Sequence, residues 1–421
     1  MSFPCYPEYK ETQNKWLRKI PKNWELVRLK NVISKKITDG PHTTPIFLEE
    51  GVPFLSVDGI QNGELVFDSC RYVSFEDHTE FQKKAHPLKN NLLMGKAAST
   101  GKIARVKVDF EFSIWSPLAL IKVNPENYNP VFLEYVLKAP RAQAEIDVLC
   151  TANTQKNISM DDIPKITLTK PSLTEQEAIA KFLDYETAKI DALIDEQEKL
   201  IDLLKIKLDA LVLTSFKSID TTLLRLTHVA EVIERPVVQK NGELYEPLGL
   251  YNRGRGLFHK DLRSTDEMGD SNFFWIEEGD LIFSGQFAWE GAVAIAYAEE
   301  EGCVVSHRYP VLRGRNGVAI TEYLYALFTT SHGEFLLNEC SIGAAGRNRP
   351  LNMNLLLKEK IPVPNINLQE RIASMVRERR HLLMEVSRQR DLLLERRSTL
   401  ISSAVTGQID VRNAVIGKET V

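Results

Sequence analysis

Pro171 to Phe216 reads PSLTEQEAIAKFLDYETAKIDALIDEQEKLIDLLKIKLDALVLTSF, with no glycine and with proline only at its first position. Apolar residues recur at Ile179, Leu183, Ile190, Leu193, Leu200, Leu204 and Leu211, and a second stripe runs through Ile194, Ile201 and Leu208. This spacing predicts a long helix that buries one wide face. Held over so many turns, with Glu, Asp and Lys between, it favours a coiled-coil partner over a compact bundle. About 43 residues at ~1.5 Å each make a rod of roughly 65 Å. Thr174 is the expected N-cap, Glu177 would complete a capping box, and Pro171 blocks an earlier start.

A partner for this helix lies in the same chain. Pro364 to Thr406 reads PNINLQERIASMVRERRHLLMEVSRQRDLLLERRSTLISSAVT, and at an offset of 193 residues Pro364 falls on Pro171. Gln369-Glu370 then fall on Gln176-Glu177, and Ile372-Ala373 on Ile179-Ala180. The apolar stripe follows, with Val376 on Leu183, Leu383 on Ile190, Val386 on Leu193 and Leu393 on Leu200, and Arg390 falls on Gln197. Heptad rhythm alone is common to unrelated helices. The start P-x-[LI]-x-x-Q-E-x-I-A, present twice, is not. The expected helix interface comprises Ile179, Leu183, Ile190, Leu193, Leu200 and Leu204 against Ile372, Val376, Leu383, Val386 and Leu393.

The globular segments repeat as well. Between Glu25 and Pro164 come VRLKNVISKKI (27–37) with helical spacing, the loop TDGPHTTP (38–45), and the strand-like VPFLSVDGI (52–60). NLLMGKAASTGKIARVKV (91–108) reads as strand, glycine-containing hairpin, strand. FSIWSPLALIKV follows as a strand pair broken at Pro117, then the short helix VFLEYVLKA (131–139) and the polar TANTQKNI (151–158). Thr221 to Pro362 runs in the same order. LLRLTHVAEVI stands for VRLKNVI, PLGLYNRGRG (247–256) for FLSVDGI, and GDLIFSGQFAWEGAVAIAY (279–297) for the hairpin. TEYLYALFTT stands for the short helix and GAAGRNRPL (343–351) for TANTQKNI. The chain is two copies of one unit, a globular α/β module followed by a long helix. Loops that vary on a kept frame suggest two recognition surfaces of different specificity.

At 421 residues, 43% hydrophobic and 26% charged, the composition is that of a soluble globular protein of two or more domains. No apolar run approaches the ~18 residues of a membrane span, and MSFPCYPEYKETQNKW has no apolar core of a secretory signal. Trp16 and Trp24 are expected to pin this N-terminal arm to a core. Cys5, Cys70, Cys150, Cys303 and Cys340 are scattered and form no C-x-x-C pair, as expected of reduced cytoplasmic thiols. A net charge of −4 argues against coating nucleic acid through bulk charge, but not against contacts from local loops.

Catalytic motifs are missing. GKAASTGKI (95–103) has five residues between its glycines, where a phosphate-cradling loop needs four and then Lys-[Ser/Thr]. NPENYNP (124–130) lacks the second proline of an amino-methyltransferase motif. The eight histidines show no H-E-x-x-H and no Cys/His metal spacing, so no metal is expected. Asp161-Asp162 reads as a helix N-terminus. The chain is therefore read as non-catalytic, and its loops as the functional part.

In the first module those loops carry Asp39, His42, Thr43 and Thr44, then Ser99, Thr100 and Lys102, then Gln155, Lys156 and Asn157. In the second they carry Arg253 and Arg255, Gln286 and Trp289, His307 and Arg308, and Arg347, Asn348 and Arg349. Arginine pairs with guanine, and Asn or Gln with adenine, through two hydrogen bonds in the major groove. Lys, Ser and Thr suit phosphates. A scaffold whose modules bind protein partners is the alternative, and it leaves these loops unexplained.

From Trp16 to Asp410 the chain resembles the specificity (S) subunits of type I restriction-modification systems. The resemblance rests on IPKNW, DGPHTTP, the T-G-K-I-A hairpin, TQKNI, PSLTEQEAIAKFL and AVTGQID (404–410), in order and duplicated. The second module departs from it, with AWEGAVA for the hairpin, GRNRPL for TQKNI, and no D-G-x-H loop. The resemblance implies an α+β fold of two duplicated α/β target recognition domains separated by two long helices in an antiparallel coiled coil. Expected boundaries are an N-terminal arm (1–23), a first recognition domain (24–165), a central helical spacer (166–217), a second recognition domain (218–362), a C-terminal helical spacer (363–412) and a tail (413–421). Each domain would read one half of a split site in double-stranded DNA, and helix length would set the gap. Two modification (M) subunits with S-adenosylmethionine and restriction (R) subunits with ATP and magnesium would be the partners. This chain would hold no cofactor of its own.

Overall fold

The structure is a computed structural model that describes residues 3–152, 156–240, 242–269, 271–343 and 349–414. It divides into two compact units, Met1–Ile194 with Arg390–Val421, and Asp195–Gln389.

In the first unit a four-stranded antiparallel sheet runs in the order Ile103–Arg105, Leu92–Gly95, Leu118–Ile121, Thr38–Asp39. Its middle strands are buried throughout. Alternation explains why they read as continuous apolar runs. Leu92, Met94, Ala119 and Ile121 face the main core, while Leu93, Leu118 and Leu120 face a second core around Phe112 and Ile114. The helix Pro130–Lys138 covers the main core. Asn129 caps it by accepting from the amides of Val131 and Phe132, and Pro130 sits where a missing N–H costs nothing.

The second unit has the same frame. Its sheet order is Ala230–Val232, Val311–Gly314, Leu281–Phe283, Val293–Ile295, with Leu281 and Phe283 facing one core and Ile282 the other. The helix Thr321–Phe328 takes the place of Pro130–Lys138. The duplication extends to single hydrogen bonds. Gln176 and Gln369 are both buried. Gln176 donates to the Pro171 carbonyl and accepts from the Asn129 amide at the start of the short helix. Gln369 does the same with the Pro364 carbonyl and the Ile320 amide. Tyr128 donates to the Thr169 carbonyl, and Tyr323 to that of Pro362.

The long helices span Leu173–Ser215 and Ile366–Val405. Each starts one residue after its cap. Ser172 Oγ accepts from the Glu175 amide, and Asn365 Oδ1 from that of Leu368. Ser172 therefore replaces Thr174 as the expected cap, because the turn already closes at Pro171-Ser172. The helices run antiparallel within each unit. Asp191 pairs with Arg397 at 3.4 Å in the first, and Gln197 donates to Gln389 at 2.8 Å in the second.

The seam of the central helix runs Leu183, Thr187, Ile190, Ile194, Gln197, Ile201, Leu204, Leu208, Leu211, Ser215, an unbroken 4-3 alternation of buried or half-buried positions. On the other helix Ile372, Val376 and Val386 are buried and Leu383 and Leu393 half-buried. Leu193 and Leu200, expected at the interface, are 48% and 46% exposed. They sit one residue off the seam, about 100° around the helix. The polar seam residues Thr187 and Gln197 hide the true stripe from an apolar count.

Two further expectations are corrected. Val27 to Ile37 is not a helix. Glu25–Arg28 is a strand paired with Thr167–Lys170, followed by a single 3-10 turn at Leu29–Asn31, and that pairing satisfies its backbone before a helix can start. Ser113–Ile114 and Leu118–Ile121 do not pair with each other. The first lies parallel to Val52–Leu55, and the second is central in the four-stranded sheet. Pro117 permits the switch because it cannot donate to a ladder.

The arm and the chain's C-terminal segment close over the first unit. Trp24 is fully buried, while Trp16 is only partly covered. The Asp410 amide donates to the Pro4 carbonyl at 2.7 Å, and Thr169 Oγ1 to the Val405 carbonyl at 2.6 Å. Among the described residues no helix is long and apolar enough to cross a membrane.

Candidate nucleic-acid interface

In the first unit three loops distant in sequence meet around Lys96, on the connection between strands Leu92–Gly95 and Ile103–Arg105. The Lys96 ammonium donates to Asp39 at 2.6 Å. The Lys96 carbonyl accepts from the Ile158 amide at 3.0 Å, and Thr100 Oγ1 donates to the Lys156 carbonyl at 2.6 Å. Residues 39–44, 96–102 and 156–158 thus share one end of the sheet. Gly40 lets the first loop lie against strand Ser113–Ile114, since a Cβ there would meet the Ile114 carbonyl oxygen at 1.8 Å.

Asp39 is not free to read a base. It is buried, and it binds Lys84, Lys96 and the exposed His42, whose Nε2 stands 3.1 Å away. Burial pushes its carboxyl up, but hydrogen bonds from Lys84 and Lys96 outweigh that and hold it below the ordinary carboxylate range. Its role is to fix two ammonium groups and an imidazole at the loop junction, leaving them net positive. Lys84 and Lys96 were missed in the sequence. Lys84 lies on the helix Phe75–Lys84, and no local motif ties either residue to Asp39.

A carboxyl lower in the folded than in the unfolded chain contributes stability that is present above pH ~4 and lost as pH falls through its folded-state value. Asp39→Asn should therefore cost about 1–3 kcal/mol at pH 7, by leaving the largely buried Lys96 ammonium without its carboxylate. It should also remove part of the acid dependence of unfolding. Equal stability of variant and parent at pH 7 and at pH 3 would contradict this role.

The remaining residues of this module are placed as follows. Thr43 and Thr44 are exposed, and Ser99 and Thr100 half-buried. Lys102 donates to the Ile60 carbonyl, and Lys156 pairs with Asp147 at 2.9 Å. Asn157 is exposed on a two-residue strand paired with Thr151–Ala152. Gln155 lies outside the described residues. The segment 95–103 leads into a strand, so it lacks the helix N-terminus that binds phosphate in nucleotide sites.

The second unit assembles its loops on the equivalent connection, between Leu281–Phe283 and Val293–Ile295. The Arg253 amide donates to the Glu290 carbonyl at 2.9 Å, and that of Gly254 to Gly291 at 2.7 Å. The Gly285 amide donates to the Arg308 carbonyl at 2.7 Å, while the Gly285 carbonyl accepts from Leu351 at 2.8 Å. Arg253 is exposed in the left-handed region at φ 61°. Arg255 lies over the Tyr251 ring and donates to the Asn252 carbonyl. Gln286, His307 and Arg308 are exposed, and Trp289 donates to the Gln286 carbonyl. Arg349 lies 5.5 Å from the centre of the Trp289 ring and donates to the carbonyls of Ser341 and Asn338. Arg347 and Asn348 lie outside the described residues. Asn252, which donates to Glu290 and locks the 252–256 turn, was not singled out in the sequence.

Residues 21–202 match the family model described as "Type I restriction modification DNA specificity domain". The chain is 23% identical over 176 residues to the type I restriction enzyme EcoBI specificity subunit of Escherichia coli. It is 24% identical over 215 residues to the StySPI specificity subunit of Salmonella potsdam. These alignments take in 41% and 50% of this chain, and only 37% and 46% of the relatives' own lengths. In fold it is similar, at a TM-score of 0.56 and 15% identity, to a chain solved in work on complex assembly and conformational transition of the type I R-M system, covering 93% of this chain and 99% of that one.

Proposed function

We propose, for a chain whose residues 21–202 match the model of the type I restriction modification DNA specificity domain, that it is the non-catalytic DNA-reading subunit of a type I restriction-modification complex. Each unit reads one half of a split site in duplex DNA. One observation carries this reading. In each unit separately, loops bearing cationic, amide and hydroxyl side chains meet at the same connection of the same four-stranded sheet. The frame is kept and the loop chemistry differs, as two half-sites of different sequence require.

In the second unit Arg253, Arg255 and Arg308 supply guanine or phosphate contacts. In the first, Lys84, Lys96 and His42 anchor the backbone while Thr43, Thr44 and Asn157 face outward. Modification subunits with S-adenosylmethionine, and restriction subunits with ATP and magnesium, would supply the chemistry and much of the basic surface that a chain of net charge −4 lacks.

Arg253→Gly tests the assignment cleanly, because glycine accepts the positive φ and only the side chain is lost. Bound together with the modification subunit, the variant should relax one half-site by about 1–3 kcal/mol of discrimination and leave the other intact. Equal loss at both half-sites would point to damage of the fold instead.

A further inference from the structure

We propose that Glu246, His259 and Cys303, in the second unit, bind a single zinc-type divalent cation through carboxylate, imidazole and thiolate, with water as fourth ligand. Nothing in the DNA-reading proposal requires this site. One ligand atom from each of the three residues lies within 4.8 Å of the others. Glu246 Oε1 is 2.7 Å from His259 Nδ1, and Cys303 Sγ is 3.9 Å from the same nitrogen. Metal–ligand bonds of ~2.0–2.3 Å at tetrahedral angles put donor atoms roughly 3.3–3.6 Å apart. The three groups therefore need only small side-chain rotations to close on one ion.

The backbone already holds the ligands side by side. His259 pairs opposite Leu248 in the strand ladder, two residues from Glu246. The Val304 amide, next to Cys303, donates to the Glu246 carbonyl at 3.0 Å, and the Cys303 carbonyl accepts from Ile276 at 2.9 Å. A fourth side chain completes the arrangement from behind. Glu300 is 6% exposed. Its Oε2 accepts from the Tyr297 amide, which leaves Oε1 facing His259 Nε2 at 3.9 Å. A carboxylate beside the far nitrogen is the usual outer partner of a metal-bound histidine, since it frees the near nitrogen to ligate.

The mixed S, N and O donor set selects zinc-like ions over magnesium or calcium, which take oxygen ligands. The residues are 13 and 44 positions apart, so no sequence spacing reveals them. A bound ion would clamp strands Leu248–Leu250 and Leu257–His259 to Val304–Ser306.

The test is titration of the full, chelator-stripped chain with Co2+, followed by competition with Zn2+. One equivalent should bind with a thiolate-to-cobalt charge-transfer band that Zn2+ abolishes, and Zn2+ should raise the thermal midpoint. Cys303→Ser should lose the band, while Cys5→Ser keeps it. Because His259 is exposed, His259→Gln spares the core, and it should weaken binding by about tenfold or more. Absence of the band in the parent chain, its survival in Cys303→Ser, or unchanged Co2+ affinity in His259→Gln overturns the site.

Discussion

Trp24→Ala is expected to cost the first unit about 3–5 kcal/mol of stability. Trp24 is fully buried and packs edge-on against Tyr6, with ring centroids 5.5 Å apart. Gly407 approaches it so closely that a Cβ there would come within 3.2 Å of the ring. Among the described residues its indole nitrogen has no hydrogen-bond partner, so the expected loss is one of packing. The cavity would open where the N-terminal arm meets the C-terminal segment. Denaturant unfolding should show the loss, and limited proteolysis should cut first in residues 3–20. A loss below about 1 kcal/mol, with the arm still protected, would mean that the arm's own hydrogen bonds hold the closure.

The second large effect concerns the paired helices. Gln197 and Gln389 touch in the seam, so seven residues inserted after Gln197 and seven inserted before Gln389 lengthen both helices at one level. A heptad keeps the seam in phase and adds about 10.5 Å of rise to each helix. If helix length sets the distance between half-sites, the tolerated gap should grow by about three base pairs at ~3.4 Å each. Inserting the heptad in one helix only should abolish binding, because every seam contact beyond it loses its partner. An unchanged gap in a well-folded double insertion would rule out the ruler. Gel-shift competition across duplexes of graded spacing reads the outcome.

The long helices were legible because a 4-3 apolar rhythm held over about nine turns has few other readings. The seam was misplaced at Leu193 and Leu200, since Thr187 and Gln197 hold seam positions that a count of apolar residues passes over. The paired sheets were legible because strands buried on both faces, such as Leu92–Gly95 and Leu281–Phe283, read as short apolar runs. Val27 to Ile37 misled because its helical spacing cannot reveal that a strand from Thr167 onward takes its backbone bonds. At the candidate interface the loops were visible as polar turns, but their meeting was not. The Asp39 cluster joins residues from a loop, a helix end and a hairpin, and Glu246, His259 and Cys303 approach only through strand pairing. Contacts of that kind depend on the folded sheet and leave no trace in local spacing.

In the proposed function the two units read the two halves of one split DNA site. Selection from a randomised duplex pool by the chain assembled with its modification subunit tests it most directly. Two short conserved blocks separated by a fixed, sequence-neutral gap are expected, with Arg253→Gly degrading one block only. Recovery of a single contiguous motif, or salt-sensitive binding with no sequence preference, would contradict it.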